Sequence, residues 1–156
     1  MNDTTASPNG ATDRPATGES VHHAGNAVVF TKDGCVLLAQ RAQEPVGLWG
    51  LPGVKAEPGE WTKAEAVRRL REKTRLQLDI DSLAAASSRY EGADSQGHYV
   101  TDSYYTVLDE AVPVEAGDDV QDVRWWRIPD ALAERMPWDH HEIVKGAAIM
   151  AGLPVE

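Results

Sequence analysis

The sequence is poor in cysteine and in long apolar runs. Its 156 residues contain one cysteine, Cys35, so neither an intramolecular disulfide nor a zinc site built from several cysteines can form. No apolar run approaches the roughly 20 residues that cross a bilayer, and the N-terminus lacks the basic start and apolar stretch of a signal peptide. These absences argue against a secreted disulfide scaffold and a membrane partner, and we expect a cytoplasmic protein.

Basic residues are also scarce. Lysine and arginine together number 15, against 25 aspartates and glutamates, and the formal net charge is -10. A surface this acidic repels phosphates unless a local basic patch intervenes, so we expect no nucleic-acid partner. The hydrophobic fraction of 42% and the charged fraction of 26% are ordinary for one domain that buries its own core.

The first twenty residues differ from the rest of the chain. Residues 1–20 hold no large aliphatic side chain after Met1 and are rich in Thr, Asn, Gly and Pro. Such a segment cannot bury enough apolar surface to offset the entropy lost on ordering. We therefore predict a disordered N-terminal tail over 1–20 and a single domain over 21–156.

Turn signals divide this domain into strands, a loop, a helix, further strands and a last helix. Asp33-Gly34 between two apolar runs predicts a hairpin. Thr62 followed by Glu65 fits a capping box, which predicts a helix that ends near Thr74. Later segments predict strands at 76–80, 84–90, 99–108 and 123–128, and a last helix with Asp139 as its N-cap. This order indicates an α+β class with helices layered on a sheet.

The stretch 51–76, LPGVKAEPGEWTKAEAVRRLREKTRL, carries the most informative pattern. It resembles the box of the Nudix family, G-x5-E-x7-R-E-U-x-E-E-x-G-U, in which U is apolar. Five of the nine defined positions match, and they are Glu60, Arg68, Leu70, Glu72 and Leu76. At the other four, where the family has Gly, Glu, Glu and Gly, this chain has Val54, Arg69, Lys73 and Arg75.

The resemblance extends over roughly 21–153 and includes the flanking segments VLLAQR at 36–41 and LWGLPG at 48–53. It implies the Nudix fold, an α/β/α sandwich with a mixed central sheet. It also implies a phosphoanhydride hydrolase whose box carboxylates hold Mg²⁺ or Mn²⁺ against a pyrophosphate. Many relatives pair as homodimers, so a homodimer is a further expectation.

The departures from the box weaken that metal site. The family's three helix carboxylates correspond here to Arg69, Glu72 and Lys73, so their summed formal charge changes from -3 to +1. A divalent cation would meet two like charges, each costing roughly 1–4 kcal/mol at the dielectric of a protein surface. Glu60 and Glu72 are the remaining candidates for catalysis and for binding Mg²⁺ or Mn²⁺ at a weakened site. The alternative is a site that uses no metal.

Three interpretations of the substitutions stay open. In the first, the site is inactive and the domain binds a ligand or partner. In the second, Arg69 and Lys73 bind the pyrophosphate directly, since a guanidinium group can donate two parallel hydrogen bonds to phosphate. In the third, other carboxylates rebuild a metal site, and the candidates are Glu57, Glu60, Glu72 and the acidic loop at 115–119. A plainer interpretation is that Arg69 and Lys73 only form surface ion pairs with Glu65 and Glu72 at helical spacing.

The segment PWDHHE at 137–142 resembles the opening of the last helix in the ADP-ribose and NAD-linked branch of the family. The implied ligand is an adenine-containing diphosphate such as ADP-ribose or a dinucleotide. Regulators of this branch carry a C-terminal winged helix that we do not find here, a second reason to expect no DNA partner. The candidate substrate-binding residues are Arg41, Arg68, Arg69, Lys73, Asp118 and Asp139. A simpler role for Trp138 and Asp139 is to pack and cap the helix.

The sequence thus predicts a hydrolase that cleaves the pyrophosphate of an ADP-ribose-like or NAD-like small-molecule nucleotide at an atypical metal site. The alternative is a catalytically inactive nucleotide-binding or regulatory module on the same fold.

Overall fold

The computed structural model describes residues 21–52, 54–55, 61–94 and 97–156, so the predicted tail over 1–20 lies outside the described residues. The described residues form one mixed sheet flanked by helices. Its strands are β1 (Val21–Thr31), β2 (Cys35–Arg41), β3 (Trp49–Gly50), β4 (Val54–Lys55), β5 (Ala84–Asp94), β6 (Gly97–Leu108) and β7 (Val120–Arg127). The helices are α1 (Thr62–Thr74), α2 (Ile128–Leu132) and α3 (His140–Met150).

The central strand of the sheet is β1. It runs parallel to β6 along its whole length and antiparallel to β2 and β4. The sheet continues from β2 to β3 and β7 on one side and from β6 to β5 on the other. The predicted hairpin is confirmed, because Phe30 lies opposite Val36 and Gly34 takes a φ of +95° in the turn. Glycine adopts this left-handed conformation without the clash that a Cβ atom would cause.

Two hydrophobic cores cover the two faces of the sheet. Successive side chains of a strand point to opposite faces, and four fully buried hydrophobic residues of β1 follow this rule. Val28 and Phe30 belong to the core that includes residues of α2 and α3, whereas Ala27 and Val29 belong to the core beneath α1. Helices therefore lie on both faces, and the predicted α+β class with an α/β/α sandwich is confirmed.

The predicted short strand at 76–80 is wrong. This segment is irregular and leads into a single turn of 3-10 helix over Ile80–Ser82. Leu76 and Leu78 are both buried in the core beneath α1, which produces the alternating pattern without a partner strand. The turn is instead stabilised locally, because the Asp79 carboxylate accepts a hydrogen bond from the backbone N–H of Asp81.

Helix α1 ends at Thr74 as predicted, but the predicted capping box is wrong. The N-cap residue is Trp61, whose side chain makes no capping hydrogen bond. The Thr62 hydroxyl donates to the Asp102 carboxylate at 3.0 Å and lies 2.7 Å from the Tyr104 hydroxyl. The Thr62 hydroxyl thus bonds to residues of β6 that are distant in sequence, and not to the backbone at the start of the helix.

Within the described ranges, no helix is long and apolar enough to cross a membrane.

Candidate functional site

One face of α1 carries a network of two carboxylates and two guanidinium groups. Glu65 is fully buried, and Arg68 and Arg69 both pair with it. The same two arginines contact Glu72, with Arg69 Nη1 at 2.9 Å from one carboxylate oxygen and Arg68 Nη1 at 3.3 Å from the other. A buried carboxylate is tolerated only when it is paired in this way, so the network compensates the charge of Glu65. The plainer interpretation of Arg69 as an ion-pairing residue is therefore supported.

The same network decides how well α1 suits the Mg²⁺ or Mn²⁺ that the box resemblance implies. Hard divalent cations need several oxygen ligands, yet both oxygens of Glu72 already accept from arginines. Within the described ranges, no group of three or more His, Cys, Asp or Glu residues could hold a metal ion. The described residues of α1 therefore do not fit a metal centre of the box type. Glu57 and Glu60, two predicted carboxylate ligands, lie outside the described residues.

Lys73 behaves differently from Arg69. Its ammonium is partly buried, and no hydrogen bond or ion pair within 4 Å links it to the residues that the structure describes. Burial lowers the pKa of Lys73, and the nearby charges of Arg69 and Arg41 lower it further. Asp119 and Asp118 act in the opposite direction. The interpretation that Lys73 pairs with helix carboxylates therefore fails, and we call Arg41, Arg69 and Lys73 the cation cluster.

The acidic loop predicted at 115–119 lies against the C-terminal end of α1. Three of its backbone N–H groups donate to carbonyls in the last turn of the helix, Glu115 to Thr74 at 3.0 Å, Gly117 to Lys73 at 2.9 Å and Asp118 to Glu72 at 3.0 Å. These bonds satisfy acceptors that a helix end leaves unpaired. A Cβ atom on Gly117 would lie 2.0 Å from the carbonyl oxygen of Glu72, so only glycine permits this approach. The loop thereby holds the Asp118 and Asp119 carboxylates near Lys73.

At the end of β2, Arg41 lies over an exposed tryptophan. Its guanidinium carbon is 4.6 Å from the centre of the Trp138 ring, a cation–π arrangement. The Arg41 Nη2 atom donates to the carbonyl of Glu44, whereas its buried Nε has no hydrogen-bond partner in the described part of the chain. Trp138 is 67% exposed and has a φ of +50°. The arrangement therefore offers an unused donor beside an open aromatic surface.

His140 ties the loop after β3 to α3. Its buried Nδ1 accepts a hydrogen bond from the backbone N–H of Leu51 at 3.0 Å. Burial lowers the pKa of His140 to about 4, so the ring is neutral at pH 7. A Cβ atom on Gly50 would lie 2.7 Å from the same ring nitrogen, which explains the glycine there. This contact was missed from the sequence, where Gly50 was the only available sign of a close approach.

Asp139 is committed to another partner. It stands at the N-cap position of α3 as predicted, yet its side chain does not cap the helix. Its carboxylate instead lies 2.6 Å from Arg89 Nε on β5. Of the predicted substrate-binding residues, Arg41, Arg69, Lys73 and Asp118 thus come together, while Arg68 contacts Glu65 and Glu72, and Asp139 is held by Arg89. The stack of Arg41 on Trp138 was not foreseen.

Solved structures place this architecture among known proteins. The chain is similar to the NUDIX domain of Shewanella oneidensis NrtR complexed with ADP ribose, at 22% identity and a TM-score of 0.70, covering 94% of this chain and 99% of that chain. It also resembles a bifunctional NMN adenylyltransferase/ADP ribose pyrophosphatase from Francisella tularensis, complexed with AMP and a Mn ion. That match has 25% identity and a TM-score of 0.68, and covers 87% of this chain but 43% of the larger enzyme.

A third structure corrects the expectation that the chain has no nucleic-acid partner. Shewanella oneidensis NrtR complexed with a 27mer DNA is 26% identical, with a TM-score of 0.62 over 82% of this chain and 61% of that one. The first ground for that expectation, net charge, fails because it is a sum over the whole chain. Contact with DNA depends on which side chains face the phosphates locally, so an acidic total does not exclude it.

The family model of the NUDIX domain matches residues 21–146 of this sequence. The match spans the sheet, α1 with its ion network, the loop at its C-terminal end and the first half of α3. Because it covers most of the chain and agrees with the sandwich architecture, the chain belongs to the Nudix family.

Proposed function

We propose that this chain is a Nudix-type hydrolase of a small-molecule nucleoside diphosphate, ADP-ribose-like or NAD-like, and that it cleaves the pyrophosphate bond. The observation that carries the proposal is the cation cluster beside the exposed ring of Trp138. A ligand with two adjacent phosphates and a flat base matches both parts of this surface.

The donors available for phosphate come mainly from two side chains. Lys73 has an ammonium without a partner among the described residues, and Arg41 has an unused buried Nε. An arginine presents several N–H donors in a fixed fork and a lysine presents a compact charge, and both suit phosphate oxygens. Trp138 adds an apolar ring on which an adenine or nicotinamide could stack. Together these groups favour a nucleotide over inorganic phosphate alone.

Hydrolysis needs a base that takes a proton from the attacking water. Glu65 and Glu72 are already paired with arginines, whereas Asp118 and Asp119 have no ion pair with the described residues. We assign the role of general base to this loop pair as part of the proposal. Family membership and the similarity to an enzyme named as an ADP ribose pyrophosphatase support cleavage of the phosphoanhydride.

The second candidate is a module that binds the same ligand without cleaving it. It is favoured by a specific observation, the contact of Arg69 with Glu72, which occupies a carboxylate that the box would use for metal binding. In that case ligand binding regulates a partner, and the ligand is later released without having been cleaved. A homodimer and a cytoplasmic location also stay predictions of this proposal, and light scattering of the purified chain tests the dimer.

One assay separates the two candidates. Purified protein is incubated with ADP-ribose, NAD, NADH and a set of other nucleoside diphosphates, each with Mg²⁺, with Mn²⁺ and with EDTA, and mononucleotide release is measured. The hydrolase predicts AMP from at least one adenine diphosphate, and an Asp118→Asn/Asp119→Asn variant that has lost most of this activity. Ligand binding without any product, measured by calorimetry, would instead identify the binding module.

A further inference from the structure

We propose that this site binds a diphosphate without a divalent cation, because Arg69 and Lys73 take the electrostatic place of the metal. The inference rests on the proposed function, since it concerns the same site, but it adds a statement about how the ligand charge is compensated. It follows from three features, which are the charge of the helix face, the contacts of Arg69 and the unused donors of Lys73 and Arg41.

The first feature is the charge of the helix face. Two positions where the box has glutamates carry Arg69 and Lys73, so the formal charge of the three box positions on this face rises from -3 to +1. The difference of four charges equals the charge that two divalent cations would bring. The side chains alone therefore present a diphosphate with the same summed charge as three glutamates that hold two divalent cations.

The second feature is the position of the Arg69 guanidinium. Its Nη1 lies 2.9 Å from Glu72 and its Nε lies 3.4 Å from the fully buried Glu65. A metal ion bound to Glu72 would have to displace this guanidinium, which would remove one of the charges that compensate Glu65. Breaking a buried ion pair by removing one partner is strongly unfavourable. The cation already present therefore competes with any metal for the same carboxylate.

The third feature is the supply of unpaired donors. Lys73 makes no ion pair within the described ranges, and the buried Nε of Arg41 has no acceptor there. The charges of Arg41 and Arg69 are close enough to act on Lys73, and Asp118 and Asp119 offset part of that repulsion. Phosphate oxygens entering the cation cluster would satisfy these donors and relieve the remaining repulsion.

Calorimetry of the full chain tests this inference with inorganic pyrophosphate as the probe, in EDTA and in excess Mg²⁺. We expect binding in EDTA, and equal or weaker binding with Mg²⁺, because Mg²⁺ also complexes free pyrophosphate. Absence of binding in EDTA, or an affinity that Mg²⁺ improves by about tenfold or more, would overturn the inference.

A parallel titration with ADP-ribose keeps the two proposals apart. If pyrophosphate binds in EDTA and ADP-ribose binds neither in EDTA nor with Mg²⁺, the metal-free site stands and the proposed substrate class is wrong. If both ligands bind only with Mg²⁺, the proposed function stands and the metal-free site is wrong.

Two variants and one control test the residues themselves. Lys73→Gln removes the charge and leaves a polar side chain that is one atom shorter, and we expect it to weaken pyrophosphate binding in EDTA by about tenfold or more. Lys145→Gln, on the exposed face of α3, makes the same chemical change away from the site and should bind as the parent does. Equal affinities of these two variants would contradict the inference.

The double variant Arg69→Glu/Lys73→Glu restores the acidic pattern of the box. We expect it to lose binding in EDTA and to require Mg²⁺ for any binding that returns. Circular dichroism establishes whether it folds, since a new carboxylate close to buried Glu65 is costly. If it does not fold, the comparison of Lys73→Gln with Lys145→Gln still decides the question.

Discussion

At the scale of single residues, His140 links the pH of the solution to the stability of the site. Its Nδ1 accepts from Leu51, and burial holds its pKa at about 4, below the ordinary value of 6.5. The unfolded chain therefore binds a proton between these two values that the folded chain excludes. It follows that this group makes folding less favourable as pH falls from 6.5 towards 4, and that the effect is absent at pH 7.

We predict that replacing His140 with Gln removes this pH dependence. Between pH 7.0 and pH 4.5 the parent should lose about 2 kcal/mol more unfolding free energy than His140→Gln, an upper estimate from the pKa difference. Urea unfolding at both pH values measures it. His141→Gln serves as the control, because it removes a histidine but leaves the buried ring and its bond to Leu51 in place. An equal loss in all three proteins would show that His140 is not the titrating group.

Two glycine-to-alanine substitutions should have opposite effects. At Gly117 the new Cβ would lie 2.0 Å from the Glu72 carbonyl oxygen, so the loop must move away from α1. We expect a loss of about 2 kcal/mol of stability, together with weaker ligand binding, because Asp118 moves with the loop. At Gly146 in α3 nothing lies within 4 Å, and the substitution should stabilise by roughly 0.5–1 kcal/mol. Thermal and urea unfolding measure both, and a stable, tightly binding Gly117→Ala variant would refute the close contact.

At the scale of elements, α1 ends on a residue that strains its own backbone. Arg75 is the C-cap and has a φ of +64°, in the left-handed region that favours glycine. The box pattern that the sequence resembles has glycine at this position, where this chain has arginine. We predict that Arg75→Gly raises stability by about 1 kcal/mol. The same change at exposed Arg71, inside the helix, should lower stability by about 1 kcal/mol, so denaturant unfolding of the two variants should show shifts of opposite sign. Shifts of the same sign would mean that the Arg75 side chain has a stabilising contact of its own.

Sequence patterns correctly predicted the elements that depend on neighbouring residues. They failed where contacts with residues distant in sequence determine the structure. The hairpin at Asp33-Gly34 and the end of α1 at Thr74 follow from turn residues and periodicity, and both are confirmed. The capping role of Thr62 failed because its hydroxyl reaches Asp102 on β6, 40 residues away in sequence. The strand at 76–80 failed because Leu76 and Leu78 are buried from an irregular segment, so burial alternates there outside a strand.

The candidate site shows the same division. The box register identified the positively charged residues of α1 in advance, since spacing along a helix fixes which side chains share a face. It could not show that Arg69 would turn towards the helix carboxylates while Lys73 would not. Nor could it place Asp139 against Arg89, because that pair joins α3 to β5 across the fold.

At the scale of the whole molecule, the acidic total opposes the local cation cluster. The chain has a formal net charge of -10, and a domain of this length has a radius of gyration of about 15 Å. At 10 mM salt the screening length is roughly 30 Å, so an approaching diphosphate feels the whole negative chain. At 150 mM it is about 8 Å, and only nearby charges act. Salt should therefore remove the long-range repulsion before it weakens the contacts inside the site.

We predict that the association rate constant for ADP-ribose, followed by stopped-flow tryptophan fluorescence, rises about twofold to fivefold between 10 and 150 mM salt. This is opposite to the fall that electrostatic steering by a cationic protein produces. A Glu110→Lys/Glu134→Lys variant, altered at two exposed positions outside the cation cluster, has a formal net charge of -6, because each substitution adds two positive charges. The rise should be smaller in this variant. A rate that falls with salt in both proteins would mean that the cation cluster dominates the field even at long range, which would strengthen the case that it captures the phosphates first.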